Sequence, residues 1–259
     1  MEMRGLGRTG ITVPTIGLGT WSTFNTDDDR TALVDEAFAN RIFLFDTAAN
    51  YGKSEETLAR ALQGRRDKAI VCTKVWATGE KQGRRQIDRA LRLFGTIDVH
   101  QVHNMVDWRE QLPLLEGLKA EGKIKAVGAT RGVEVPAEEA AALMRTGRLD
   151  VVTFRYSPVA REAEELLLPL AAELDLGVFV ISPLKGGVLD AKPTSEELEY
   201  LEVDTWPQAV LKWIRSDTRV SCVLTATRTP GRIAENSAAG QPPLFDIEQR
   251  NLVVKIATR

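Results

Sequence analysis

Eight times along this chain a short apolar run, often rich in β-branched residues, gives way to a stretch with helical spacing. Residues 16–20, 43–47, 69–74, 97–103, 125–130, 151–157, 178–183 and 220–225 read as strands. Residues 29–40, 54–62, 84–94, 108–121, 136–145, a stretch opening near Leu168, 205–216 and 230–239 read as helices. Pro169 suits a first helical turn, and Thr205 with Gln208 has the spacing of a capping box. Strands apolar nearly throughout belong to a parallel sheet covered on both faces. Eight strand–helix units in 259 residues predict an α/β fold, a (β/α)8 TIM barrel, with residues 1–259 forming one domain. Residues 1–15 predict a short β-hairpin, and a last helix is predicted from Asp246 with Ile247, Leu252 and Val254 on its packing face. The longest irregular stretch is predicted at 184–204.

Gly5-Leu6-Gly7-Arg8-Thr9-Gly10 carries the letters of the dinucleotide fingerprint GxGxxG. Only four residues precede it and no helix opening follows, so it reads as a glycine-rich turn. Net charge is −2, which gives no electrostatic case for nucleic acid or an anionic membrane. Two Cys and two His, without CxxC or HxxxH spacing, predict neither a metal site nor a disulfide framework. Cys72 and Cys222 sit in strand-like runs and are expected as buried thiols. No apolar run has membrane-spanning length and no signal-type apolar segment opens the chain, so a cytoplasmic location is expected. A monomer is favoured, although the sequence does not set the oligomeric state.

In such a barrel the chemistry stands at the C-terminal ends of the strands. Strand two ends in Asp46, with Tyr51 just beyond; strand three ends in Lys74 and strand four in His103. Alone, each has a plain structural role: a helix cap, a packing phenol, a solvated ammonium, a core imidazole. His100, three residues from His103, faces the other way in a regular strand and reads as core. Four titratable groups of four kinds on one rim point to acid–base chemistry on a developing oxyanion. A neighbouring ammonium is expected to lower the phenol's pKa by about 1–3 units. Trp21, Trp76 and Trp108 follow strands one, three and four and predict an aromatic wall for a substrate pocket.

Phe45-Asp46-Thr47-Ala48, Tyr51-Gly52, Ser54-Glu55, Thr73-Lys74-Val75, the run from Asp98 to Asn104, and Arg232-Ile233-Ala234-Glu235-Asn236 together resemble the aldo-keto reductase family over nearly the whole chain. The resemblance implies reduction of an aldehyde or ketone to an alcohol with NADPH, a small-molecule carbonyl substrate and NADP+ as the other product. Tyr51 would give the proton, His103 orient the carbonyl, Lys74 bond the phenol and Asp46 bond Lys74. The cofactor would lie on the barrel mouth against Thr130, Arg131, Thr153, Ile181, Ser182, Leu184 and Gly186. Its adenosine end would meet Thr227, Arg228, Arg232, Glu235 and Asn236, with the two arginines clamping a 2′-phosphate. Several positions depart from the family's pattern. Thr130-Arg131 stands for Ser-Asn, Thr153 for the Gln that holds the carboxamide, and Ile181 for an aromatic residue that stacks on the nicotinamide. Thr225-Ala226 replaces a Pro-containing pair, and Arg41 replaces Gly. A loosely held nicotinamide follows as the expectation.

Two other readings compete. A Schiff-base lyase would use Lys74 uncharged, which Asp46 opposes. A non-catalytic NADP-binding or sensing barrel would keep the fold and lose the turnover.

Overall fold

The computed structural model describes all 259 residues, Met1–Arg259. Strands β1 (Met3–Gly5) and β2 (Thr12–Pro14) form an antiparallel hairpin. Eight further strands follow: β3 (Ile16–Gly19), β4 (Leu44–Asp46), β5 (Ile70–Val75), β6 (Ile97–Val102), β7 (Ile124–Thr130), β8 (Val151–Arg155), β9 (Gly177–Ile181) and β10 (Cys222–Thr225). They pair in parallel in chain order, and β10 closes on β3. Helices α1 (Thr31–Ala39), α2 (Ser54–Ala61), α3 (Glu80–Phe94), α4 (Trp108–Ala120), α5 (Ala137–Arg145), α6 (Leu167–Glu173), α7 (Ser195–Tyr200), α8 (Trp206–Arg215) and α9 (Arg232–Ala238) lie between or after these strands, and α10 (Ile247–Ala257) ends the chain.

Alternation along each strand divides the core in two. Leu44, Cys72, Val99, Ala126, Val151, Phe179, Cys222 and Leu224 point inward and fill the barrel with Leu6 and Val13 of the hairpin. Both thiols are free and buried. Leu6 enters over Gly177, where a Cβ would stand 2.4 Å from Leu6 Cδ1, so only glycine leaves room for the plug. The outward residues of the strands form the larger core with the helices, as with Ile87, Ala90 and Phe94 of α3. His100 is in the outward row, hydrogen-bonded in register with Thr73 and Val127.

Three boundaries differ from expectation. Helix α3 starts at Glu80, four residues before the predicted start, because Gly79 at φ 75° turns the chain and the first turn is largely exposed and without apolar periodicity. The stretch 184–204 is not irregular throughout: it holds a 3-10 turn, Val188–Asp190, and α7, closed by a Thr194–Glu197 capping box. In α10 it is Val253 and Ile256 that are buried, with Leu252 and Val254 partly so, while Ile247 is 71% exposed. The capping boxes at Thr205–Gln208 and Asp246–Gln249 set the starts of α8 and α10. Arg41 has φ 60°, the left-handed conformation that favours glycine. No helix is long and apolar enough to cross a membrane, and no three His, Cys, Asp or Glu side chains cluster to hold a metal.

Candidate active site

Asp46 ends β4 and Lys74 lies one residue from the end of β5, both on the inward face. Lys74 Nζ donates to Asp46 Oδ2 at 2.6 Å and to the Thr47 carbonyl at 2.8 Å, and both side chains are fully enclosed. Burial opposes charge on Lys74, but the Asp46 carboxylate, with Tyr51 beside it, offsets the burial, so the ammonium is held above its ordinary pKa. The next loop returns across the barrel mouth. Buried Glu55, in the first turn of α2, accepts from Thr73 Oγ1 and Arg89 Nη2, each at 2.6 Å. Arg89 and the Ala49 amide tie the loop further, to the Ala49 carbonyl and to the Lys74 carbonyl. Tyr51 is thereby set with its ring 5.3 Å from Lys74 Nζ and 5.7 Å, edge on, from the His103 ring.

The Lys74 ammonium makes its hydrogen bonds to Asp46 and Thr47 and faces the Tyr51 ring. The expected net fall in the phenol's pKa is corrected by burial. Burial raises Tyr51 above an ordinary phenol, and Lys74 only opposes that rise. Burial also takes His103 down to about 3, with Lys74 adding to the effect, so the imidazole is neutral at pH 7. Its Nδ1 is buried without a partner, as is Asp46 Oδ1. A neutral imidazole still offers one N–H and one lone pair.

A cavity of about 320 Å³ opens beside Asp46 and Tyr51; Lys74 and His103 are not among its lining residues. Gly19, Trp21, Ser22 and Thr23 line it from the loop after β3; Asp46 and Tyr51 from β4 and beyond. Ile181 to Lys185 line it after β9, and Leu224 to Ala226 at the end of β10. Ile181, Ser182 and Leu184 thus stand where expected, and Gly186 lies just past the lining residues. Of the three tryptophans only Trp21 reaches the cavity, its ring 3.9 Å beneath Lys185 Nζ. Trp76 is exposed and its backbone pairs with Gln86, whereas Trp108 packs at the start of α4 under Arg109.

Of the remaining expected contacts, Thr130, Arg131, Thr153, Thr227 and Glu235 are bonded to other protein groups. Thr130 Oγ1 accepts from the Asn104 amide at 2.7 Å. Arg131 forks onto Glu162 at 3.0 and 3.1 Å, and the Thr153 hydroxyl donates to Gln101 Oε1 at 2.6 Å. Thr227 accepts from the Thr229 amide, and Glu235 accepts from Thr205 Oγ1. Asn236 is buried, while Arg228 and Arg232 are exposed. Glu36 of α1 was not foreseen. Its Oε1 accepts from the Gly231 amide at 2.9 Å and the Ala234 amide at 3.3 Å, putting a carboxylate on the start of α9. Nothing local in the sequence announces this, because the two ends lie 195 residues apart. Gln101 lies two residues before His103 and so on the same strand face.

The sequence model of the Aldo/keto reductase family matches residues 15–257. The chain is 28% identical to an Escherichia coli (strain K12) protein named NADH-specific methylglyoxal reductase, across 94% of each chain. Solved structures share the fold. An aldo-keto reductase from Bacillus halodurans in its holo form superposes with a TM-score of 0.83 at 23% identity, over 99% of this chain and 96% of that one. One from Klebsiella pneumoniae in complex with NADPH gives 0.82 at 23% identity, over the same shares. A barrel whose strand ends bring together Asp46, Tyr51, Lys74 and His103, matched by that model almost from end to end, makes this chain a member of the aldo/keto reductase family.

Proposed function

We propose that the protein is an NADPH-dependent carbonyl reductase in which Asp46, Tyr51, Lys74 and His103 act on one carbonyl group. The observation that carries this reading is a cavity lined by Asp46 and Tyr51, with the Lys74 ammonium fixed on Asp46 and the Lys74 and His103 side chains both next to the Tyr51 ring. The residues present fit a nicotinamide dinucleotide. Asp46 Oδ1, His103 Nδ1, Gln101 Nε2 and the hydroxyls of Thr20, Thr23 and Thr47 are buried without protein partners around the mouth. Ser182, Gly186 and Gly187 adopt positive φ in the loop after β9, a conformation that turns backbone N–H groups toward an anion. Ile181, Ser182, Leu184 and Gly186 would hold the cofactor's middle, and Arg228, Arg232 and Asn236 its adenosine end.

A bound dihydronicotinamide supplies hydride to the carbonyl carbon. Tyr51 gives the carbonyl oxygen its proton, and the neutral His103 orients that oxygen by a hydrogen bond. Lys74 places positive charge beside the developing alkoxide, and Asp46 keeps that charge in place at low dielectric. With its pKa raised by burial, Tyr51 stays protonated through neutral pH, which suits reduction. Oxidation needs the phenolate and gains with rising pH. A Schiff base at Lys74 needs a neutral amine, which the raised Lys74 pKa disfavours.

Trp21 alone offers an aromatic wall, so flat or aromatic carbonyl compounds are proposed to stack there. NADPH and NADH consumption over a panel of methylglyoxal, aromatic aldehydes, sugars, quinones and steroid ketones tests the reading. Turnover of at least one carbonyl class supports it. Dinucleotide binding with no turnover across the panel overturns it in favour of a sensing role.

A further inference from the structure

The imidazole of His103 makes no hydrogen bond to another protein group, and its Nδ1 is buried without a partner. It meets the Tyr51 ring edge on, with 5.7 Å between centroids. With no bond to fix the ring, its place follows from packing and from the backbone that carries it. That backbone is strained. Between His103 and α4, Asn104, Met105 and Asp107 have φ of 50°, 55° and 48°, the left-handed region that residues other than glycine seldom enter. Such conformations persist only where the surrounding structure over-determines them.

Side chains on two other elements hold this connection. Thr130, the last residue of β7, accepts from the Asn104 amide at 2.7 Å, and its hydroxyl donates back to Asn104 Oδ1 at 3.3 Å. Asp107 stands at the start of α4 without capping its own helix; its Oδ2 accepts instead from the Gly79 amide at 2.6 Å. The Val106 amide closes the turn on the His103 carbonyl at 3.1 Å. The amide that Thr130 holds belongs to the peptide joining His103 to Asn104. Thr130 thus acts on the backbone immediately beside the imidazole, and its one hydroxyl proton is spent there.

We propose that Thr130 is a positioning residue for His103: by holding that peptide in its left-handed turn, it fixes the angle at which the imidazole meets Tyr51. This rests on the carbonyl-reductase reading above and gives Thr130 a task in it apart from cofactor contact. The end of β7 then sets the geometry of a group that follows β6. A carbonyl oriented by His103 shifts when the imidazole shifts, and small displacements of an orienting group are costly in rate.

The test compares wild type, Thr130→Val and Thr130→Ser by histidine ring NMR signals, by NADPH calorimetry and by kinetics with the best substrate of the carbonyl panel. The chain has two histidines, so the ring signals of His103 and His100 can be told apart. Thr130→Val should shift the His103 signals and leave those of His100 in place. It should lower kcat about five- to fiftyfold, with KM changed less and NADPH affinity within about twofold of wild type. Thr130→Ser keeps the hydroxyl and should restore both the signals and most of kcat. Should Thr130→Val fail to fold, Asn104→Ala keeps that hydroxyl but resists a positive φ, and should shift the His103 signals and lower kcat in the same way. Unmoved His103 signals or a wild-type kcat in a folded Thr130→Val overturns the assignment, and so does a Thr130→Ser as slow as Thr130→Val. A loss of NADPH affinity as large as the loss of kcat also overturns it, because Thr130 would then serve the cofactor. Absence of turnover by the wild-type protein would instead overturn the functional reading, while the ring signals still decide whether Thr130 places His103.

Discussion

The two sides of the barrel mouth are built differently. On the side of β4 to β6, the groups proposed for chemistry are locked to one another: Asp46 to Lys74, Lys74 to the Thr47 carbonyl, the Tyr51 loop to Glu55 and Arg89. On the side of β7 to β10 and α9, several of the residues expected to hold a cofactor are engaged elsewhere. Thr153 serves Gln101, Arg131 serves Glu162, Glu235 serves Thr205, and Glu36 covers the start of α9. The first side keeps its geometry through buried, charge-assisted bonds that few other arrangements satisfy. Apart from the buried Thr153–Gln101 bond, the second side depends on loops and on partners more open to solvent. On the proposed reading, catalytic geometry is set by the barrel, while affinity and coenzyme choice are left to its rim.

The sharpest test removes one oxygen from the locked side. Tyr51→Phe keeps the ring against His103 and should cut carbonyl reduction by about 10²–10⁴ with dinucleotide affinity nearly unchanged. Wild-type-like turnover in steady-state kinetics would break the comparison at its base. Stability separates the two sides next. Lys74→Met leaves Asp46 buried without its counter-ion and should cost about 3–5 kcal/mol in urea unfolding. Arg131→Gln leaves an exposed Glu162 and should cost less than about 1 kcal/mol. Equal losses would mean that the rim is as tightly built as the catalytic side.

Acid provides a third handle. The protein has two histidines, His100 and His103, and burial takes both down to about 3. Below the unfolded value near 6.5, the unfolded chain binds protons that the folded rings refuse. Their contribution to stability is whole above about pH 6.5 and is lost as pH falls toward 3, with a limiting slope of about 2.7 kcal/mol per pH unit for two protons. Urea midpoints should already fall between pH 7 and 5; an unchanged midpoint would show that the rings charge freely when folded.

The rim gives the smaller effects. Glu36→Gln removes a negative charge from the start of α9 and should raise the preference for NADPH over NADH by about three- to tenfold in measured dissociation constants. No change in that ratio would place the 2′-phosphate away from α9. Ile181→Tyr should tighten both dinucleotides by about two- to tenfold through ring stacking, provided the cavity admits the ring. A constant unmoved in a folded variant would mean that Ile181 does not underlie the nicotinamide.

Much of the molecule is written locally in the chain. Short apolar runs alternating with amphipathic stretches specify parallel strands and covering helices, and eight units close on themselves. The shared rim of Asp46, Lys74 and His103 was legible because strand ends and period-two alternation are local properties. The resemblance also marked Arg41 as standing in place of a glycine, and its φ of 60° is the left-handed conformation that favours glycine. Partner choice is not local. Thr153 reads as a cofactor contact until Gln101, 52 residues earlier, crosses Gly128 to meet it. Glu36 reads as a solvated helix residue until the closing barrel brings α9 beside α1. Burial likewise reversed the expected direction for Tyr51, since desolvation depends on everything packed around the phenol and not on the one lysine the spacing revealed. Sequence determines what each segment can form and which way it faces. Which polar group finds which partner is decided only when the chain folds, because hydrogen bonds and desolvation act at contact distance between residues far apart in the chain.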